Sequence, residues 1–472
     1  AAIAVLVLGI SAAVAQETTG ALRGTVKDDV GTAIAGAVVE ATGPLGTLST
    51  TTDQGGEYRF PRMAPGDYKV VAKYVGYLDA ATDVRVNLGQ AMTVDFAMQQ
   101  SFKEEITVYS DTIAIDFTES QTETSIRQWE IDYLPRGRNY TDVVKYAAGT
   151  QDSRQAGGIS IDGSSGLENR FVIDGIDTTS PQVGTSAVPL RADFLEEVQV
   201  KSAGYAAEYG GSTGGVINVI TKSGSNAWHG GVLAQYEQRS WGGDERPILA
   251  DSLTSNTYEY VNPEKDDEWR IDPGLFLSGP ILKDRLWFFG SYQPGIRSTE
   301  RTVTFTNGVT NTFPQDFTVN YGTANITGNI GSKLLFRAGV NYSPYSTEGT
   351  LPGQDGRTSL TSPDQYLRGT DGKRNTISGS LDWTPTNNFV VSARVGRYRT
   401  DAESTGITFP GLIHNFSTAS TPAGLNALGP YRQNAGFTSD ILVTDAQAKD
   451  EYKRDYVGID ATYFFNGGGE HQ

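Results

Sequence analysis

Three histidines, His229, His414 and His471, and no cysteine make up the whole supply of nitrogen and sulfur metal ligands in this 472-residue chain. The histidines lie too far apart to suggest a zinc site. Without cysteine there is no thiolate ligand, disulfide framework, lipoprotein acylation or cysteine nucleophile. Gly157-Gly158 and Gly214-Gly215 could be mistaken for phosphate loops, but neither sits in a GxGxxG or GxxxxGK[ST] run that opens a helix after a strand. Their structural use is the better reading: positive φ and close backbone approach where strands meet. No catalytic residue, metal ligand or cofactor is therefore assigned. Lys and Arg number 38 against 55 Asp and Glu, a formal net charge of −17. That balance argues against nucleic acid, which needs an excess of cations.

The elements that any functional residue must sit on are strands. Only 20% of residues are charged, while Gly supplies 55 and Tyr 23, a profile that disfavours a helical bundle and fits a mainly β chain of several domains. Residues 1–15 read as the remnant of a signal peptide, with an apolar run followed by Ala13-Val14-Ala15. Residues 16–99 form an all-β module, with strands expected at 21–27, 35–42, 68–74 and 92–97 between turn signals such as Gln54-Gly55-Gly56 and Pro65-Gly66-Asp67. A sandwich on a flexible tether suits it best. Residues 100–118 are a linker holding one short alternating strand, Glu104-Glu105-Ile106-Thr107-Val108-Tyr109. Residues 119–226 are α+β, with a helix expected at 142–148 and strand-to-turn units ending in Asp162-Gly163 and Asp174-Gly175.

From 227 to 472 the pattern is a strict dyad. Val232, Ala234 and Tyr236 oppose Gln235 and Glu237; Phe336, Ala338 and Val340 oppose Arg337 and Asn341; Ile377, Leu381 and Trp383 oppose Ser378, Ser380 and Asp382. Short turns at 279–284, 331–332 and 385–388 alternate with polar stretches at 239–266, 345–372 and 403–449. Such alternation marks a transmembrane barrel with turns on one side and loops on the other. Eight strands are expected to about Phe465, with Trp287, Tyr292, Tyr342, Trp383 and Tyr463 as interfacial girdle aromatics.

The three blocks, in this order, resemble the TonB-dependent outer-membrane receptors of the Oar-like type. The first resembles a carboxypeptidase regulatory-like domain through Gly24-x-Val26-x-Asp28 and Thr52-Asp53-x-x-Gly56-x-Tyr58-x-Phe60, implying an immunoglobulin-like sandwich. The second is similar to the family's plug. The motif positions are Arg138 and Asn139; Asp174 and Gly175; and Glu208, Tyr209, Gly210, Gly214, Gly215, Asn218, Thr221 and Lys222 in the run from Ala207 to His229-Gly230, which is similar to the end of the plug and the first barrel strand. Gly279-Pro280-Ile281-Leu282-Lys283-Asp284 matches an early barrel hairpin, so the last block reads as the first strands of a large antiparallel barrel. The resemblance implies a barrel of twenty-two strands, and the chain reads as an incomplete frame holding about eight.

By the same resemblance Glu104–Tyr109 is the candidate TonB box. Strand addition suits Ile106 and Val108, because backbone bonds give affinity with little demand on side chains. The implied partners are the TonB energy-transducing complex, outer-membrane lipid and an unidentified small or oligomeric ligand: an oligosaccharide, a peptide or a metal chelate. The implied location is a Gram-negative outer membrane with the N-terminal domain in the periplasm. The alternative, a secreted or surface glycan-binding or adhesion protein, explains the sandwich and the polar loops but not the plug motifs.

Overall fold

The computed structural model describes residues 18–100, 108–109, 122–135, 137–153, 157–205, 210–244, 246–251, 257–262, 264–305, 307–331, 333–356, 363–386, 388–406, 415–417, 432–434, 449–466 and 470–471. The expected signal remnant lies outside them.

The first module is a two-sheet sandwich. Its strands are β1 (Gly20–Asp28), β2 (Val38–Gly43), β3 (Gly46–Thr51), β4 (Glu57–Met63), β5 (Gly66–Lys73), β6 (Ala80–Val86), β7 (Ala91–Thr93), β8 (Phe96–Met98) and β9 (Val108–Tyr109). One sheet runs β4-β1-β7 with β8 also on β1; the other runs β3-β2-β5-β6-β9. Alternate residues such as Leu22, Val26, Val39, Phe60, Val70 and Phe96 fill the space between the sheets. The strand expected from 35 starts at Val38 instead. The Thr52 hydroxyl accepts from Ala37 N–H at 2.9 Å and donates to the Ile34 carbonyl at 2.7 Å, which holds those residues in a turn. The strand expected at 92–97 divides in two, with Asp95 accepting from Thr25 N–H at 2.7 Å between the halves.

The plug follows as β10 (Thr122–Arg127), α1 (Gln128–Tyr133), α2 (Tyr140–Val144), β11 (Thr150–Asp152), β12 (Ile159–Ile161), β13 (Arg170–Ile173), β14 (Ile176–Asp177), β15 (Leu195–Ala203) and β16 (Val216–Thr221). The sheet order is β10-β15-β16-β13-β14, with β13 and β16 parallel. The helix expected at 142–148 begins at Tyr140, because Asn139 is its N-cap and Asp142, at the third position, accepts from the Asn139 N–H at 3.2 Å. The helix α1 had no counterpart in the sequence reading.

The last block is one antiparallel sheet. Its long strands are β17 (His229–Gln238), β20 (Asp267–Leu282), β21 (Leu286–Thr304), β22 (Thr310–Ile330), β23 (Leu334–Tyr342), β25 (Gly369–Thr386), β26 (Phe389–Thr405) and β29 (Lys449–Tyr463), paired in that order. Hairpin β18 (Ile248–Asp251) with β19 (Tyr258–Val261), strand β24 (Tyr345–Glu348), and the pair β27 (Asn415–Ser417) and β28 (Arg432–Asn434) lie in the long connections.

The sheet is apolar outside and polar inside. Val232, Leu275, Ile326, Val340, Ile377, Val395 and Ile459 are exposed on its outer face, while Asp272, Gln293, Asn325, Asn341, Ser378 and Arg394 are buried on its inner face. A soluble sandwich has the opposite arrangement; lipid outside and a filled lumen inside require this one. Tyr292, Tyr342, Trp383 and Tyr463 stand on the outer face as expected. Trp287 does not. It has inward parity, is fully buried, and donates its indole N–H to Asn226 Oδ1 at 2.9 Å. The alternation of short and long connections also has an exception: only residues 305–309 join β21 to β22, and both strands extend past the apolar belt instead.

Candidate functional site

The plug is held in the lumen by ionic groups, of which Arg191 and Asp272 are wholly shielded from water and Arg138 and Arg270 in part. Asp272 points inward from β20 because Ile271 and Leu275 take the opposite parity. The plug supplies two cations to it: Arg138, from the turn before α2, and Arg191, from the strap before β15, both in direct contact with its carboxylate. A third, Arg270 of the barrel, stands at 3.1 Å. The Arg191 guanidinium stacks 4.1 Å from the centre of the Tyr321 ring. Burial pulls Arg191 down to about 10, so it remains a cation at neutral pH. Gly295 faces this cluster across the sheet, and a Cβ there would lie 2.7 Å from both Arg191 and Asp272.

A second cluster lies lower, where the plug chain leaves for the barrel. Asp174, in left-handed backbone (φ 48°) ahead of Gly175 (φ 79°), forms the tight turn between β13 and β14. Its carboxylate accepts from the Thr221 N–H at 3.0 Å and from the Thr221 hydroxyl at 3.0 Å. Arg337, from β23, donates to the Thr221 carbonyl at 2.6 Å and stands 3.3 Å from Asp174. Asn325, from β22, donates to the Lys222 carbonyl at 2.6 Å. Lys222 turns back to donate to the Asp193 carbonyl at 2.8 Å. Four motif positions singled out in the sequence, Asp174, Gly175, Thr221 and Lys222, therefore meet in one place, joined to the wall by Arg337, which the sequence placed on the polar face of its strand, and by Asn325, which it did not name.

The other motif positions are distributed by role. Arg138 belongs to the Asp272 cluster and Asn139 caps α2. The Gly210 carbonyl accepts from Arg170 at 3.0 Å. Gly214 and Gly215 serve close packing, since a Cβ at Gly214 would fall 2.4 Å from Asn169 Oδ1 and one at Gly215 would fall 2.5 Å from Ile161. Asn218 is buried on β16. Glu208 and Tyr209 lie outside the described residues, as do Glu104, Glu105, Ile106 and Thr107. Val108 and Tyr109 form β9 and pair in parallel with Ala80 and Ala81 on the edge of the sandwich. Arg191 and Asp272 were missed; the available signal was an acid of lumen parity within a strand whose other face is apolar.

Above the plug, on the side of the long loops, lies an open cleft of about 380 Å³. Asn139, Gln182 and Ser186 of the plug face Arg374, Tyr398 and Tyr452 of the wall across it. The whole lining offers hydroxyls, amides, three phenols (Tyr140, Tyr398 and Tyr452), the Arg374 guanidinium and the Asp450 carboxylate, and can hydrogen-bond a polar ligand without any metal of its own. Among the described residues no group of three or more His, Asp or Glu is placed to hold a metal ion.

A sheet with an apolar skin and a polar lumen, filled by a mixed plug that carries a sandwich at its turn side, is the architecture of a TonB-dependent outer-membrane receptor. Three family models match in the same chain order: the carboxypeptidase regulatory-like domain at 21–99, the TonB-dependent receptor plug domain at 117–216 and an outer membrane beta barrel domain at 220–444. The chain thus carries that family's three domains in their order and is an outer-membrane protein, with the plug inside the barrel and the sandwich on the periplasmic side.

Among individual proteins it is similar to the TonB-dependent transporter Oar of Myxococcus xanthus, 32% identical over 309 residues, which is 62% of this chain and 28% of that protein. It also matches the ferrienterobactin receptor of Escherichia coli K12, 34% identical over 100 residues, covering 19% of this chain and 13% of the relative. The chain thus spans well under half the length of both curated relatives. The solved outer membrane transporter YddB of Escherichia coli shares the fold with a TM-score of 0.52 at 16% identity, covering 73% of this chain and 46% of that one.

Proposed function

We propose that the chain is the plug-bearing part of a receptor that takes up a polar ligand across the outer membrane with energy supplied by TonB. The observation that carries this reading is the burial of Arg138 and Arg191 of the plug against Asp272 of the wall. A passive pore has no use for a plug clamped by ions in its lumen. Removing one partner of such a buried pair costs about 3–5 kcal/mol, and several held together keep the plug seated at rest. External work is the natural means of moving such a plug.

In this reading ligand settles into the cleft above the plug, against Gln182, Ser186, Arg374 and Tyr452. The stretch Glu104–Tyr109 pairs as an added strand with TonB, and the pull reaches the plug through β10, which follows it in the chain. An oligosaccharide, a peptide and a metal chelate all suit a lining of hydroxyls and amides. The domains divide as a signal remnant at 1–15, the sandwich at 16–99, the coupling linker at 100–118, the plug at 119–226 and the barrel wall from 227. Uptake of labelled glycans, peptides and ferric chelates by cells bearing the complete receptor, with and without TonB, tests the reading. Uptake of one class that stops without TonB supports it; equal uptake of all without TonB refutes it.

A further inference from the structure

The sandwich has a core of its own, yet one of its leucines is buried elsewhere. Leu88, in the turn between β6 and β7, is fully buried outside that core. Its N–H donates to both oxygens of Glu197 at 3.3 Å, and its carbonyl accepts from Gln199 Nε2 at 2.6 Å. Glu197 and Gln199 are two residues apart on β15, so they project from one face of the strand. Together they hold both peptide groups of a single residue, as a neighbouring strand would. Glu123 of β10 joins them, accepting from Gln90 of the same turn and from Gln199 at 3.1 Å.

The sandwich also grips the wall. Asn329, at the turn end of β22, donates to the Leu45 carbonyl at 3.2 Å, and Arg62 of β4 lies 3.9 Å from Asp382 of β25. Where the sequence suggests a module on a tether, the structure seats it against plug and barrel together.

The covered face of β15 is polar. Val198 and Val200 turn into the plug core, while Glu197, Gln199 and Lys201 turn the other way and are just as deeply buried. Permanent seams are built mainly from apolar side chains; a polar seam suits a contact that parts, because its groups find water when it opens. The strand that leads into the Leu88 turn is β6, and β6 is the strand that β9 pairs with. A pull on the coupling stretch is thus applied to the sandwich strand that carries the contact.

We infer that the sandwich is a releasable periplasmic bolt: seated, it ties β15 of the plug to the barrel rim; withdrawn, it frees β15 to move. The inference rests on the receptor reading above, in which the plug must open. It assigns the sandwich a gating task.

Hydrogen exchange on the full chain in detergent micelles tests it without ligand or TonB. Leu88→Asp puts a charge where no water reaches, and Gln199→Ala removes one grip while leaving the plug core untouched. In both, the amides of β15 are expected to exchange at least tenfold faster, with the amides of β5 in the sandwich core unchanged. If Leu88→Asp also exposes β5, Gln199→Ala alone decides. Unchanged exchange in β15 while β5 stays protected overturns the bolt. Faster β15 exchange in a chain whose complete receptor shows no energised uptake leaves the bolt standing and removes the receptor reading.

Discussion

Arg191 of the plug and Asp272 of the barrel form an ion pair whose side chains are both wholly shielded from water. Neither charge has bulk solvent to fall back on if the other is removed. Asp272→Ala leaves Arg138, Arg191 and Arg270 crowded together in the lumen and is expected to weaken plug seating by about 3–5 kcal/mol. Urea titration of the detergent-solubilised chain, read by protease access to the plug, should show release at lower urea than in the parent. An unchanged midpoint would mean that the pair contributes nothing to seating.

Energy coupling is expected to run through Ile106 and Val108. Proline at either position removes a backbone donor and disfavours pairing with an added strand. In the complete receptor, Ile106→Pro or Val108→Pro should abolish energised uptake, while surface level and equilibrium ligand binding stay near normal. Binding and transport measured in the same cells check this; uptake that survives both prolines puts the coupling stretch nearer residues 110–118.

Glu197 makes the sandwich–plug seam sensitive to pH. Burial raises its carboxyl to about 7, opposed by the Ser125 and Leu88 hydrogen bonds and by Arg85 and Arg127; Glu123 stands beside it on β10. A raised carboxyl favours the seated state fully below the ordinary carboxylate range, and that contribution is lost as pH climbs through about 7. Each pH unit within that window is worth up to about 1.4 kcal/mol. Burial raises the neighbouring Glu196 in the same direction, so the slope has two sources. Protection of β15 should therefore fall from pH 5 to pH 7.5, and Glu197→Gln should flatten most of that dependence. A parallel fall in the variant would assign the effect to Glu196.

Gly214 tolerates no side chain. Gly214→Ala puts its methyl 2.4 Å from Asn169 Oδ1, which accepts the Gly215 N–H at 2.9 Å. The expected loss is about 1–3 kcal/mol of plug stability, measurable as a lower melting temperature of the plug transition, with the barrel transition in place.

Lipid contact is expected on the outer face alone. Val340→Lys and Val395→Lys place a cation against acyl chains and should each cost about 2–4 kcal/mol near the bilayer midplane. Folding yield into vesicles checks this; an unchanged yield in both variants would mean that the face does not meet lipid.

The barrel wall is the part best read from sequence, because a period of two fixes the face of every residue once one face is known. Ile377, Leu381 and Trp383 face outward for that reason alone. Trp287 breaks the rule of thumb for girdle aromatics since parity, not residue type, decides its face. The strand edges of the sandwich shift where side chains such as Thr52 compete for backbone groups, which alternation does not register. Parity marks Asp272 as an acid facing the lumen, but its pairing with Arg191 is illegible from one chain because it spans 81 residues and depends on how plug and wall meet in space. The seam at Leu88 is harder still: a turn leucine beside Asn87 reads as surface until a neighbouring domain covers it.

The β21–β22 hairpin carries both of its strands well past the apolar belt. Exposed apolar residues on β22 run from Ile330 up to Ile326, and Asn320 and Thr318 mark polar ground above. Residues from Thr310 to Tyr321 then continue outward; at about 3.4 Å per residue and a tilt of about 40° they rise roughly 30 Å beyond the lipid core. The tip is stiffened by Val303, Phe305, Phe313 and Tyr366, with the Phe313 and Tyr366 rings 4.7 Å apart. This mast stands as tall as the hydrocarbon layer is thick. It is a natural place to attach an affinity tag or a fluorophore away from the cleft above the plug.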